Sequence, residues 1–451
     1  MQIGGVTNWI AEELSGVSLP DKRFTTNIIS IAEHLDEHTG LSFSASCGER
    51  LRKSAWRLFS TEELNLLTTH QQRTFVRCME EETILIAEDT TDIHYHQHHK
   101  QGMGVLGGGK SKLAKGLNMH TALAVTASGE SLGIVHQKIW APKAGRGTIE
   151  RHHFAIEDKE TIKWIATLKA VNEQWGKQIS QQVVLIGDRE ADFFEHYAYP
   201  KEDNIKLLVR VQQRKRRVLL DVQDMNITEV LQSHMKPLGE GSIKAWRRQG
   251  QPEREVPVEY STATITLPPT YKQKQPSQTM QLVCVREKSE SVDKMEWILL
   301  THLPADTLED AITICHYYAC RWTIERFHYI LKSGLGIEQL QINSFLRLVN
   351  ALQLYALIAW HLLWLQRLVK TKGNQPAADY IEPQTIEVAE AVTCKKMRTV
   401  TDFVIATAVL GGFVPTKKQP LPGEKTLWQG LRQLHVLQKG FLAAKQKYGT
   451  G

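Results

Sequence analysis

The chain is short of cysteine, and no two of its cysteines stand close enough in sequence to act together. Its 451 residues hold six, at positions 47, 78, 284, 315, 320 and 394, and none forms a CxxC pair. That spacing excludes a zinc ribbon and argues against a disulfide framework, so a reducing cytoplasm is the expected setting. No N-terminal stretch passes from basic to apolar as a secretory signal does. Long unbroken hydrophobic runs are also missing. The most apolar segment, Val349 to Leu365, is interrupted by Asn350, Gln353 and His361. It predicts a buried helix rather than a membrane span, and no membrane partner is expected. Internal repeats are absent too. Charge of one sign is only slightly in excess: 55 Lys and Arg against 49 Asp and Glu give +6. A polyanionic partner is permitted by that balance, not demanded.

What is present is globular. Hydrophobic residues make up 42% and charged residues 23%, enough for real cores, and the length calls for two or three domains. Residues 1 to about 75 read as helical. Ile28, Ile29, Ile31, Ala32 and Leu35 recur at helical spacing, and a second helix carries Arg50, Arg52, Lys53, Trp56, Arg57 and Phe59. Bases interleaved with aromatics suit phosphate contacts, although a solvated helix face has the same composition.

From Thr83 the pattern changes to strands. Ile84 to Ala87 is a short apolar run ending at Glu88-Asp89, and Val183 to Ile186 is another, stopping at Gly187-Asp188. Both read as central strands buried on two faces. Between them, His120 to Ala127 and Leu132 to Ala141 read as a hairpin turning at Ser128-Gly129, followed by a helix with Ile162, Ile165, Leu168, Val171 and Trp175 on one face. Strand, strand, strand, helix, strand is the opening of a ribonuclease-H-like α/β fold, with Asp89 and Asp188 at strand ends. Alternating segments from Ile205 to Thr301 read as a β-rich insertion at about 205–303. Helical periodicity returns at Leu308 and runs to about Leu368. A polar linker, Lys370 to Pro383, then leads to a C-terminal helical segment broken at Gly411-Gly412.

One segment stands out: Tyr318-x2-Arg321-x3-Glu325-x6-Lys332. On a regular helix turning about 100° per residue, these four side chains share an arc of roughly 60°. Ile324, Phe327 and Leu331 fall on the other side. A carboxylate between two cations and a phenol can bind Mg²⁺ or Mn²⁺ while its neighbours hold phosphates. A salt-bridged surface helix would show the same i,i+4 pair of Arg321 and Glu325. The two aspartates at the ends of buried strands favour the first reading. Three hard carboxylates suit a two-metal displacement at phosphorus.

Glu88-Asp89-Thr90-Thr91, Gly187-Asp188-Arg189-Glu190-Ala191-Asp192 and the Tyr-Arg-Glu-Lys spacing resemble the DDE transposases of bacterial insertion sequences, more narrowly the insertion-sequence-four group. Leu19 to Arg23 and Trp56 to Phe59 resemble the family's N-terminal DNA-binding region; Leu410 to Phe413 and Gly440 to Lys445 resemble its C-terminal dimerisation region. The resemblance implies a catalytic, metal-holding triad of Asp89, Asp188 and Glu325 with two Mg²⁺ or Mn²⁺ ions. It implies that Tyr318, Arg321 and Lys332 grip phosphate, that Trp297 stacks a flipped-out base and that Arg210 contacts DNA. The partition it implies is a helical DNA-binding domain at 1–75, a catalytic domain at 76–370 and a helical dimerisation domain at 371–451. Terminal inverted repeats and target DNA would be the partners of a homodimer in the bacterial cytoplasm, associated with the nucleoid, and cleavage would pass through a DNA hairpin.

Other motifs point elsewhere. Gly104 to Ser111 satisfies the phosphate-loop pattern GxxxxGK[ST], so an NTP-driven enzyme is one alternative. A loop closing on DNA through Lys110 and Lys112 is the preferred reading, because His98 to Gln101 is no strand. His94, His96, His98 and His99 resemble a metal cluster but are read as structural or DNA-facing. The run Arg214 to Arg217 can add phosphate contacts or form a solvated hairpin tip. A catalytically inactive DNA-binding inhibitor is the second alternative.

Overall fold

The computed structural model describes residues 9–17, 19, 22–38, 43, 49–95, 101–106, 115–142, 160–245, 254–269, 275–289, 294–417 and 419–449. Amphipathic spacing builds the N-terminal helices α1 (Trp9–Leu14), α2 (Lys22–Glu37), α3 (Glu49–Phe59) and α4 (Thr68–Cys78). In α2, Ile28, Ile31, Ala32 and Leu35 are all buried. In α3, Ala55, Leu58 and Phe59 turn inward while Arg50, Lys53 and Arg57 stay exposed.

The sheet begins with β1 (Thr83–His94), β2 (Gly104–Val105), β3 (Lys115–Thr126) and β4 (Ser131–Trp140). After α5 (Ile162–Trp175) come β5 (Gln182–Gly187), the one-turn α6 (Phe194–Tyr197) and β6 (Ile205–Arg210). β3 pairs antiparallel with both β1 and β4, whereas β5 runs parallel to β1 and β6 parallel to β5. The order β4-β3-β1-β5-β6, three antiparallel strands followed by two parallel ones, is consistent with a ribonuclease-H-like core. The runs Ile84–Ala87 and Val183–Ile186 are fully buried, because apolar material covers both faces.

β7 (Arg217–Leu220), β8 (Gln223–Asn226), α7 (Ile227–Ser233), β9 (Lys236–Ala245), β10 (Arg254–Leu267), β11 (Gln278–Glu287) and β12 (Glu296–Thr301) follow. They extend the same sheet rather than form a separate one: β12 pairs antiparallel with β6, and the described strands make a single twelve-stranded sheet. Ile205 to Arg210 therefore does not open the insertion, as its sequence position suggested. It is a central strand, hydrogen-bonded on both edges. The departure from the core begins after Arg210.

Helices α8 (Leu308–Cys320), α9 (Trp322–Tyr329), α10 (Phe345–Lys372), α11 (Pro383–Thr393), α12 (Val400–Leu410) and α13 (Glu424–Tyr448) complete the chain. Thr307 and Asp310 close a capping box at the start of α8. Alternation along β1 divides two cores. Leu85 and Ala87 face the one holding Ile314, Ile324 and Phe327, while Ile84 and Ile86 face the one holding Trp164 and Leu168 of α5. The boundary expected at residue 75 falls inside α4, and that at 370 inside α10.

By length and composition α10 could cross a membrane, yet its apolar window is 94% buried inside the protein. It is a core helix, and its polar residues are docking points. Asn350 donates to the carbonyls of Phe59 and Thr61, both at 2.9 Å. Gln353 donates to Leu64 O and accepts from Leu66 N at 2.7 Å. His361 stacks on Trp9 with ring centroids 4.1 Å apart. The interruptions that argue against a membrane span are the contacts that seat the N-terminal helices. At the other end, an Arg326–Glu424 ion pair ties α9 to α13, and Lys439 of α13 pairs with Glu37 of α2.

Candidate active site

Asp89 does not sit at a strand end, as its sequence position suggested, because β1 runs on to His94. Its parallel pairing with β5 stops at Ala87 and Ile186, so Asp89 lies on an overhang just beyond its shorter neighbour. Asp188 follows β5 directly and caps the short 3₁₀ turn Arg189–Ala191, accepting from Glu190 N at 2.8 Å. Gly187 is required there, since a Cβ would stand 2.5 Å from that of Ala191.

The segment bearing Glu325 is not one regular helix. Arg321 separates α8 from α9, with i,i+3 hydrogen bonds from Arg321 N to Tyr318 O and from Ile324 N to Arg321 O, each 3.1 Å. A π-helical turn, Ile330–Gly334, then carries Lys332. The single-face arrangement expected of four evenly wound residues is thereby corrected. Tyr318, Arg321 and Glu325 gather near the aspartates, whereas Lys332 lies 4.0 Å from Glu338, whose carboxylate also accepts from His94 N at 2.9 Å. Such turns recur at functional sites.

Arg321 is the hub. Its guanidinium donates to Asp89 at 3.4 Å and to Glu325, and its side chain is only 12% exposed. Despite that burial, Tyr318, Glu325 and Asp89 keep it firmly charged. Burial pushes the Asp89 carboxyl up to about 6, with Arg321 opposing and Asp188 and Glu325 reinforcing the shift. Burial also raises Asp188, against the pull of the Glu190 backbone amide. Two acids thus share one arginine, and a third, Asp188, feels its charge. Hard oxygen donors in that surplus fit a divalent cation. As the side chains stand, no three His, Cys, Asp or Glu residues among those described are close enough to ligate one ion, and the Arg321 guanidinium stands between Asp89 and Glu325.

Tyr318 is buried, which raises its phenol, and its ring meets Trp297 edge-on with centroids 5.2 Å apart. Trp297 is half-buried beside Glu296, whose carbonyl accepts from Arg210 at 3.2 Å. Arg210 and Asp188 both act electrostatically on Tyr318. All eight residues singled out in the sequence therefore lie on or beside one end of the sheet, with Lys332 joined to it through Glu338.

The basic run fares differently. Arg214 pairs with Glu296 at 2.5 Å, Arg216 with Asp192, and Arg217 with Asp224 at 2.6 Å. Three of its four cations are held by acids of the chain itself. The residues of the phosphate-loop pattern from Gly107 onward, and His96, His98 and His99, lie outside the described residues. Gly104 and Val105 form a two-residue strand antiparallel to β3, not the parallel central strand a phosphate loop follows.

Sequence reasoning passed over Glu88. On β1 it faces away from Asp89, fully buried against His120, with Nε2 to Oε2 at 3.3 Å. Burial drives the carboxyl well up and the imidazole well down, leaving a neutral pair. A carboxylate at the end of an apolar run was the available signal.

A family profile described as "Transposase DDE domain" matches residues 158–361, and one described as "Transposase DNA-binding" matches residues 6–64. The first span contains Asp188, Trp297, Tyr318, Arg321, Glu325 and Lys332; Asp89 lies outside it. The second contains α1, α2 and α3. The chain thus carries a transposase DNA-binding domain together with a DDE transposase domain, and DNA is its partner.

Proposed function

We propose that Asp89, Asp188 and Glu325 form the catalytic centre of a cut-and-paste transposase of the insertion-sequence-four group. The observation that carries this reading is that Arg321, beside Tyr318, is shared by Asp89 and Glu325, with Asp188 acting electrostatically on the same arginine and on Asp89. The acids would hold Mg²⁺ or Mn²⁺, two ions per site, which supply charge neutralisation and an activated oxygen nucleophile at phosphorus.

The chain's own residues do the rest. Asp188 is fixed by its cap and Asp89 by the sheet, so the two present their oxygens with little reorganisation. Arg321, held between Asp89 and Glu325, would take a phosphate oxygen of the strand being cut. Tyr318 and Lys332 extend that grip. Trp297 offers a planar indole for an unstacked base, and Arg210 a phosphate contact beside it. By resemblance, a freed 3′-hydroxyl attacks the opposite strand to give a hairpin, and the reopened end joins target DNA. Two protomers would pair two ends, with residues 371–451 in the dimer contact.

Glu325→Ala is expected to abolish Mg²⁺-dependent cleavage of a duplex bearing the inverted repeats that flank the gene, while binding to that duplex persists. Undiminished cleavage by the variant would remove Glu325 from the centre.

A further inference from the structure

The run Arg214 to Arg217 and the acid four residues after Asp188 find a joint explanation in the fold. Asp192 is 3% exposed yet accepts from many donors. Its carboxylate takes the Tyr197 hydroxyl at 2.8 Å, Gln212 N at 2.7 Å, Gln213 N at 2.9 Å and the Arg216 guanidinium. Its carbonyl takes a second Arg216 nitrogen at 2.8 Å. Asp192 closes the turn that Asp188 opens, while Gln212, Gln213 and Arg216 lie in the segment between β6 and β7.

That segment leads back to the site. Arg214, two residues before Arg216, is tied to Glu296, which Arg286 also holds at 3.1 Å. Glu296 precedes Trp297, and Arg210 donates to its carbonyl. One path, through the turn Asp188–Asp192, the Asp192–Arg216 pair, the backbone from Arg216 to Arg214 and the Arg214–Glu296 pair, runs from Asp188 to Trp297. A buried ion pair is a poor source of net stability, because desolvation offsets the attraction. What it specifies well is orientation, and a constellation of reacting groups needs orientation held by such supporting contacts.

We propose that Asp192 is a positioning residue that sets Arg210 and Trp297 in register with Asp188, so that Arg214 and Arg216 serve as tethers rather than as a phosphate patch. The inference rests on the functional reading above.

The test uses the full chain, Mg²⁺ and a duplex of the gene's flanking inverted repeats with 2-aminopurine in the terminal base pairs. Asp192→Asn and Arg216→Gln are each expected to bind the duplex within about twofold of the parent. Cleavage should slow by roughly 10- to 100-fold, the range expected of a misplaced constellation, and the rise in 2-aminopurine emission should be lost. The double variant should be no worse than either single one, as for groups acting as a unit. Asp224→Asn, which releases only the exposed Arg217 pair, should leave all three readouts unchanged. Where Asp192→Asn does not fold, Arg216→Gln carries the test, since it leaves the carboxylate its backbone donors. A parent that cleaves, with variants that cleave and unstack as well as it does, overturns this inference alone. Loss of cleavage in step with a lowered melting temperature, the emission response intact, also overturns it. A parent that binds but never cleaves overturns the functional reading and this inference with it.

Discussion

Two clusters in this protein bring carboxylates and arginines together, and the surroundings make opposite uses of the same contact. In the N-terminal hub, Glu13 is 1% exposed and accepts from His70 at 2.6 Å, Arg77 at 2.8 Å and Arg73 at 3.3 Å. Burial alone would raise its carboxyl, yet His70 and Arg77 pull it down to about 2. Around Arg321 the proportion is inverted: acids outnumber the base, and Asp89 goes up to about 6. The hub is electrostatically complete and joins α1 to α4 and, through Arg77 to Leu132 O at 2.6 Å, to β4. The site is left short of positive charge. On the proposed reading, the first arrangement serves stability and the second would serve cation binding.

Exchanging neutral groups for the acids is the sharpest way to break the contrast. Asp89→Asn is expected to cut metal-dependent cleavage by roughly 10³-fold or more, with no loss of melting temperature, since it removes a charge that Asp188 and Glu325 oppose. A large fall in stability would place Asp89 with Glu13 as a structural acid. Glu13→Gln should do the reverse, costing about 3–5 kcal/mol in denaturant unfolding because Arg77 is left buried and under-paired. Its cleavage rate under folding conditions should hold.

Proton linkage should separate the two regions more gently. The folded Glu13 carboxyl lies below its ordinary value of 4.5, so its contribution is complete above that value and is lost as pH falls toward about 2. Asp89 is shifted upward from 3.8. Its carboxyl favours the fold at pH below 3.8, and that contribution is lost as pH rises through about 6. The smallest effect follows: millimolar Mg²⁺ should raise the melting temperature at pH 8 by a few degrees, and the gain should fade below about pH 6. A gain that persists in Asp89→Asn would place the cation elsewhere.

Much of the core was legible because burial on two faces writes itself into short apolar runs, as at Ile84–Ala87 and Val183–Ile186. Ile205–Arg210 carries the same kind of run, but an apolar strand does not announce which neighbours it will pair with, so sequence position alone puts it in the insertion. Asp89, Asp188, Arg321 and Glu325 could be picked out, since acids after buried strands and an acid set among cations are unusual. The pairings of Arg214, Arg216 and Arg217 could not, because Glu296 and Asp192 are distant in sequence. The break at Arg321 left no mark either. Its backbone stays in the right-handed helical region, with φ −53° and ψ −32°, and no proline or glycine flags it.

The π-helical turn at Ile330–Gly334 has a consequence for how the Tyr-Arg-Glu-Lys spacing is understood. A π turn is a helix with one residue more than its winding needs, so the interval from Glu325 to Lys332 counts residues along an uneven thread. Grafting the four side chains at the same interval onto a straight scaffold would set Lys332 on a bearing this protein does not use. Deleting one residue between Glu325 and Lys332 would turn Lys332 by about 100° relative to Glu325. The spacing is a measurement of one irregular object, and it is portable only with the irregularity.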